Sequence, residues 1–141
     1  MDINFYLMNQ LNAVIKSIET EENISMVMVE AMGISFSILV IDTPATAAYL
    51  EEDNEVIMVF KATALSVAKN FSGGLSIRNR FPATIAAIQG GKVLSSVLLD
   101  CKGIMLEAVI TTHSANALAL QVGDAVEGLV KTNDISLMQK E

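Results

Sequence analysis

The sequence contains one cysteine, one histidine, two prolines and no tryptophan in 141 residues. Cys101 has no second cysteine to pair with, so no internal disulfide can brace the chain. Nor does it have a histidine partner that would mark it as a nucleophile. His113 is the only histidine, and a metal site needs several convergent ligands, so no metal centre is expected. Long apolar runs are also missing. The longest, around Ile34 to Ile41, is broken by Ser35 and Ser37, whereas a spanning helix needs roughly 20 apolar residues. The opening Met1-Asp2-Ile3-Asn4 places no basic residue ahead of an apolar segment, so no secretory signal is expected and a cytoplasmic location fits. Positive charge is scarce too. Nine Lys and Arg against 16 Asp and Glu give a net charge of −7, which argues against a direct nucleic-acid surface. With no phosphate loop, no Ser/His/Asp set and no paired-carboxylate motif, enzymatic activity is not expected.

What remains is a largely apolar chain, 52% hydrophobic and 18% charged. That is enough to build a core, and disorder is excluded on composition. It is also a high apolar share for so small a protein, which points to part of it lying in a subunit interface. The methionines, Met26, Met28 and Met58 among them, read as core or interface filler. The Glu51-Glu52-Asp53 cluster reads as a solvated loop. Charge is unevenly spread. Residues 1–70 hold ten acids and three bases, a net −7, while residues 71–141 hold six of each. An anion would find the second half the better host.

Shifting the chain by 70 residues aligns 4–68 with 74–138 without a gap. Fourteen of the 65 pairs are identical, among them Asn9/Asn79, Ile15/Ile85, Gly33/Gly103, Ala45/Ala115 and Lys61/Lys131. This predicts two copies of one fold, 1–70 and 71–141, joined at Asn70-Phe71-Ser72-Gly73-Gly74. In the second copy, strands are expected over Thr84–Ile88, Val93–Leu99, Ile104–Thr111, Ala125–Lys131 and Ile135–Met138. A turn at Asp100-Cys101-Lys102-Gly103 and a helical piece over Ser114–Leu120 complete it. Short strands, tight turns and one short helix in each copy predict an all-β chain of two tandem OB-like small barrels.

The second copy carries Ser76-Ile77-Arg78-Asn79, then Ile110-Thr111-Thr112-His113-Ser114-Ala115, then Leu118-Ala119-Leu120-Gln121-Val122-Gly123, and finally Val130-Lys131-Thr132. This order and spacing, from Ser76 to Met138, resembles the Mop/TOBE family of molybdate-binding domains. The family pattern runs Ser-x-Arg-Asn, Ile-Thr-x-x-Ser-Ala, Leu-Gly-Leu-x-x-Gly and Val-Lys-Ser/Ala-Ser/Thr. The tandem arrangement resembles the di-Mop form, as in ModG-type proteins and the C-terminal part of ModE-type regulators.

The resemblance implies a molybdate or tungstate oxyanion as ligand, no further cofactor, and an oxyanion-binding set of Ser76, Arg78, Asn79, Ser114, Ala115 and Lys131. The chemistry agrees. A tetrahedral dianion only accepts hydrogen bonds, and Arg78 offers a charged fork, Lys131 a point charge and Ser76 a hydroxyl. Ser114 and Ala115 would open a helical turn whose N–H groups favour an anion. Asn79 suits a loop-tying role better than ligand contact. Lys61, Thr132 and His113 are secondary candidates. The family further implies a homo-oligomer, a trimer ahead of a dimer, with sites at subunit interfaces, where a neighbour supplies the Ser-Ala turn. Two functions follow: storage or homeostasis of the oxyanion, or a molybdate-sensing module acting through a partner. The first copy departs from the pattern. Tyr6, Met8 and Pro44 replace Ser76, Arg78 and Ser114, leaving Asn9, Ala45 and Lys61. Binding is therefore expected in the second copy.

Overall fold

The computed structural model describes residues 7–140. Among these residues, ten strands form two five-stranded antiparallel sheets. The strands are β1 (Met8–Glu21), β2 (Ile24–Ala31), β3 (Ile34–Val40), β4 (Glu55–Lys61) and β5 (Ser66–Ala68), followed by β6 (Asn79–Gly90), β7 (Leu94–Cys101), β8 (Ile104–Thr111), β9 (Ala125–Val130) and β10 (Ser136–Gln139). Three-residue 3₁₀ turns at Ala62–Ala64 and Thr132–Asp134 precede β5 and β10. One α-helix, α1 (Thr112–Ala117), follows β8.

The alternation of side chains drives this arrangement. On β2, Ser25, Val27, Val29 and Ala31 face inward, while Ile24, Met26 and Met28 stay half-exposed on the outer face. Sequential strands pair through tight hairpins. The Met32-Gly33 and Lys102-Gly103 turns have φ of 56° and 71°, and 52° and 88°, the left-handed pairs that match the twist of the flanking strands. Each long strand also carries an irregularity, between Ile15 and Ser17 on β1 and between Ile85 and Ala87 on β6. There the strand bends and curls its sheet. The backbone groups of Ile15 are met by Asn54 and Asp53, and those of Ile85 by Asp124 and Gly123.

The strands thus recur at the 70-residue offset, down to the bulges and 3₁₀ turns. Packing differs where volumes trade. Leu11 faces Met58 across β1 and β4, and the equivalent pair across β6 and β9 is Phe81 and Gly128. A Cβ on Gly128 would stand 2.4 Å from the Phe81 ring, so the larger residue fits only because its neighbour has none.

The strand order is β10-β4-β1-β2-β3 in one sheet and β5-β9-β6-β7-β8 in the other. Each sheet therefore takes its terminal strand from the other half of the chain. Two buried asparagines add further cross-links. Asn79 Nδ2 donates to the Ser37 carbonyl (2.9 Å) and its Oδ1 accepts the Ser37 N–H (2.7 Å). Asn9 makes the same two contacts with the Glu107 backbone, both 2.9 Å. The buried apolar side chains of both halves form one contiguous core, with the Phe36 and Phe81 rings 5.8 Å apart.

The expected helix is present only in the second half. The corresponding stretch of the first is a set of turns, with Thr46 and Ala47 N–H both donating to the Thr43 carbonyl. The cause is local. In α1, the Thr111 hydroxyl caps the helix by accepting the Ser114 N–H. The matching residues are Ile41, with no hydroxyl, and Pro44, with no N–H, so that capping bond cannot form.

Candidate functional site

Ser76, Ile77, Arg78, Lys131, Thr132 and Asn133 line one cleft of about 320 Å³, together with Met26 of β2. Two loops build it. Ser76–Arg78 lead into β6, and Lys131–Asn133 follow β9, the strand that pairs with β6 through Asn79↔Val130. That pairing sets the arginine and lysine side by side although 53 positions separate them. Ser76, Arg78 and Lys131 are exposed, while Thr132 is half-buried. Among the described residues the salt bridges are Lys69–Asp124, Arg80–Glu127 and Lys140–Glu55. Arg78 and Lys131 belong to none of them, so two cationic side chains and a hydroxyl share one cleft without an internal counter-ion. Arg80, by contrast, is held by both carboxylate oxygens of Glu127 and stacks 5.3 Å over the Phe71 ring. That bond raises its pKa further and removes it from ligand duty.

A second cavity of about 250 Å³ adjoins the first and shares Arg78 and Met26 with it. Its remaining walls are Glu19 of β1, Met28 of β2 and Ser37 of β3. All three come from the first half, and sequence reasoning did not place them at the site. Met26 and Met28, read there as filler, form cleft wall, whereas Met58 is fully buried in the core. No local motif marks these positions, because only the packing of the halves brings them to Arg78.

The other expected residues lie elsewhere. Asn79 is buried and engages the Ser37 backbone with both ends of its amide, so it fixes the Ser76–Arg78 loop instead of facing the cleft. Ser114, Ala115 and His113 sit on α1 and are absent from the cleft lining. The helix opens two residues earlier than expected, with Thr111 as cap. The Ser114 N–H is consequently already bonded to Thr111, and Ala115 is buried. Ser114 Oγ remains exposed and accepts from the Thr111 hydroxyl. Lys61 lines a separate cleft of about 240 Å³ with Met8, Ala64, Asn133 and Asp134, where methionine replaces the arginine and a carboxylate is present. Tyr6, the counterpart of Ser76, lies outside the described residues.

A pair of OB-like sheets with a donor-lined cleft at their junction defines a small binding module. The TOBE domain model matches residues 75–137, the stretch that supplies both cleft loops. The molybdenum import ATP-binding protein ModC of Brucella abortus is 36% identical over 85 residues, covering 60% of this chain and 24% of that protein. The molybdenum transport protein ModE of Herbaspirillum seropedicae is 29% identical over 126 residues, covering 87% of this chain and 47% of that protein. The chain thus spans between a quarter and a half of the length of these relatives. In structure it is similar to the cytoplasmic molybdate-binding protein ModG, solved with molybdate bound, at a TM-score of 0.86 and 20% identity over 94% of this chain and 96% of that one. Residues 75–137 thus carry a TOBE domain. Among the described residues no helix is long and apolar enough to cross a membrane.

Proposed function

We propose that this chain is a cytoplasmic binding protein for a tetrahedral metal oxyanion, molybdate or tungstate, serving storage or homeostasis without catalysis. The observation that carries the reading is the cleft where Arg78, Lys131, Ser76 and Thr132 converge with both cations unpaired among the described residues. Such a site offers donors and positive charge, which is what a dianion with only acceptor oxygens requires. The names of the relatives and the ModG-like fold support the choice of oxyanion. Ser114 lies away from this cleft within the chain. We assign it to the corresponding site of a neighbouring copy, in a homo-oligomer with sites at subunit interfaces, a trimer first.

Calorimetry with molybdate, with sulfate as competitor, tests the assignment. Molybdate heat that survives excess sulfate, falls at least tenfold in affinity in Arg78→Ala and persists in Lys61→Ala is the expected result. Absence of heat with both molybdate and tungstate overturns the ligand. Equal losses in the two variants overturn the site.

A further inference from the structure

The cavity beside the donor cleft holds an acid where an anion site gains nothing from one. Arg78 is the hinge of the arrangement, since it lines both cavities. On one side it meets Ser76, Lys131, Thr132 and Asn133, and on the other Glu19, Met26, Met28 and Ser37. Its guanidinium is exposed and tied to no carboxylate among the described residues. A long, uncommitted arginine between a donor-lined lobe and a lobe bearing a carboxylate has two electrostatic minima. One is an external anion beside Lys131, the other Glu19.

We propose that Glu19 is an affinity-limiting residue, an internal anion that competes with the bound oxyanion for Arg78. The inference rests on the oxyanion reading above and deepens it. Position alone singles out Glu19. Its neighbour on the same strand, Glu21, lines only the next cavity along, with Thr20, Ile24 and Leu39, and that cavity does not include Arg78. The counterpart of Glu19 at the 70-residue offset is the neutral Gln89. It lines a cavity with Ser96, Leu98 and Glu107 that lacks an arginine. The acid of the first half therefore lines the cavity that holds the arginine of the second, and the neutral residue lines one without an arginine. Its effect is twofold. It offers Arg78 an alternative partner to an incoming anion, and it repels a dianion once that is bound.

The test measures molybdate affinity of the full chain in three forms: unmodified, Glu19→Gln and Glu21→Gln. The two substitutions change the net charge equally, so any difference between them is local. A carboxylate across a wet cleft weakens dianion binding by a factor of about three to ten. Glu19→Gln is expected to tighten molybdate binding by that factor at low salt, with Glu21→Gln close to the unmodified chain. Because the repulsion is screened, the gain should shrink towards unity near 1 M salt, where the Debye length is about 3 Å. A change in packing would not respond to salt in that way. Unchanged or weaker binding in Glu19→Gln, or an equal gain in Glu21→Gln, overturns the inference. If the unmodified chain binds no molybdate, it is the oxyanion reading that fails.

Discussion

Asn79 shows how a residue in a binding motif can serve the site without facing it. Its amide completes the Ser37 backbone much as a neighbouring strand would, and it lies one position from Arg78. Asn79→Ala leaves a buried N–H and carbonyl unsatisfied, which costs about 2–3 kcal/mol. Asn9→Ala should cost a similar amount through Glu107. Chemical denaturation of the two variants checks this, and calorimetry separates them. Only the Asn79 change should also weaken molybdate binding, because Asn9 adjoins Met8 instead of an arginine. Ala119 departs from its family pattern in a different way. It occupies a place where the pattern has glycine, and it sits at φ 50°. A side chain costs roughly 1–2 kcal/mol in that left-handed region, part of which glycine forfeits through greater freedom when unfolded. Ala119→Gly should therefore stabilise the protein by about 0.5–1 kcal/mol, read as a higher denaturation midpoint.

Among the elements, the connection between the halves is fastened at Lys69 as well as at Phe71. Lys69 Nζ lies 3.0 Å from both the Ala119 carbonyl and Asp124 Oδ2, so the end of the first half is pinned to the loop between α1 and β9. The Lys69 hydrogen bond, followed by the Gln121 N–H, holds the Asp124 carboxyl below its ordinary range. A carboxyl whose folded pKa is depressed contributes stability that is present above its unfolded pKa and is lost as pH falls through the folded value. The contact should therefore persist at neutral pH and weaken below about pH 4. Lys69→Met should flatten that acid-side loss in thermal scans between pH 6 and 3. An unaltered slope in the variant would show that the pair does not contribute.

At the scale of the molecule, the exchange of terminal strands decides how the protein unfolds. Ser136–Gln139 complete the sheet of the first half by pairing with Val59–Val56, and Ser66–Ala68 do the same for the second. Deleting residues 136–141 should raise hydrogen exchange in Glu55–Lys61, a strand far away in sequence. It should leave Leu94–Thr111 better protected. Protection unchanged in β4 would mean that the exchanged strand is dispensable. The same exchange makes a single cooperative transition the expected thermal behaviour, since neither sheet is complete without the other half.

The amino-acid sequence determined the strands, the hairpins and the recurrence at 70 residues, because alternation and turn chemistry are local properties. It also determined the motif carrying Ser76, Arg78 and Lys131, whereas the helix expected in the first copy is absent because Ile41 and Pro44 cannot make the capping bond. Three things waited for the tertiary structure. Asn79 proved to be a brace because its partner Ser37 is 42 positions away and carries no signal of the pairing. Glu19, Met26 and Met28 became cleft wall because β1 and β2 pack beside loops from the other half. The ownership of β5 and β10 was settled by which sheet edge each reaches, and side-chain patterning alone does not distinguish one edge from another of equal character.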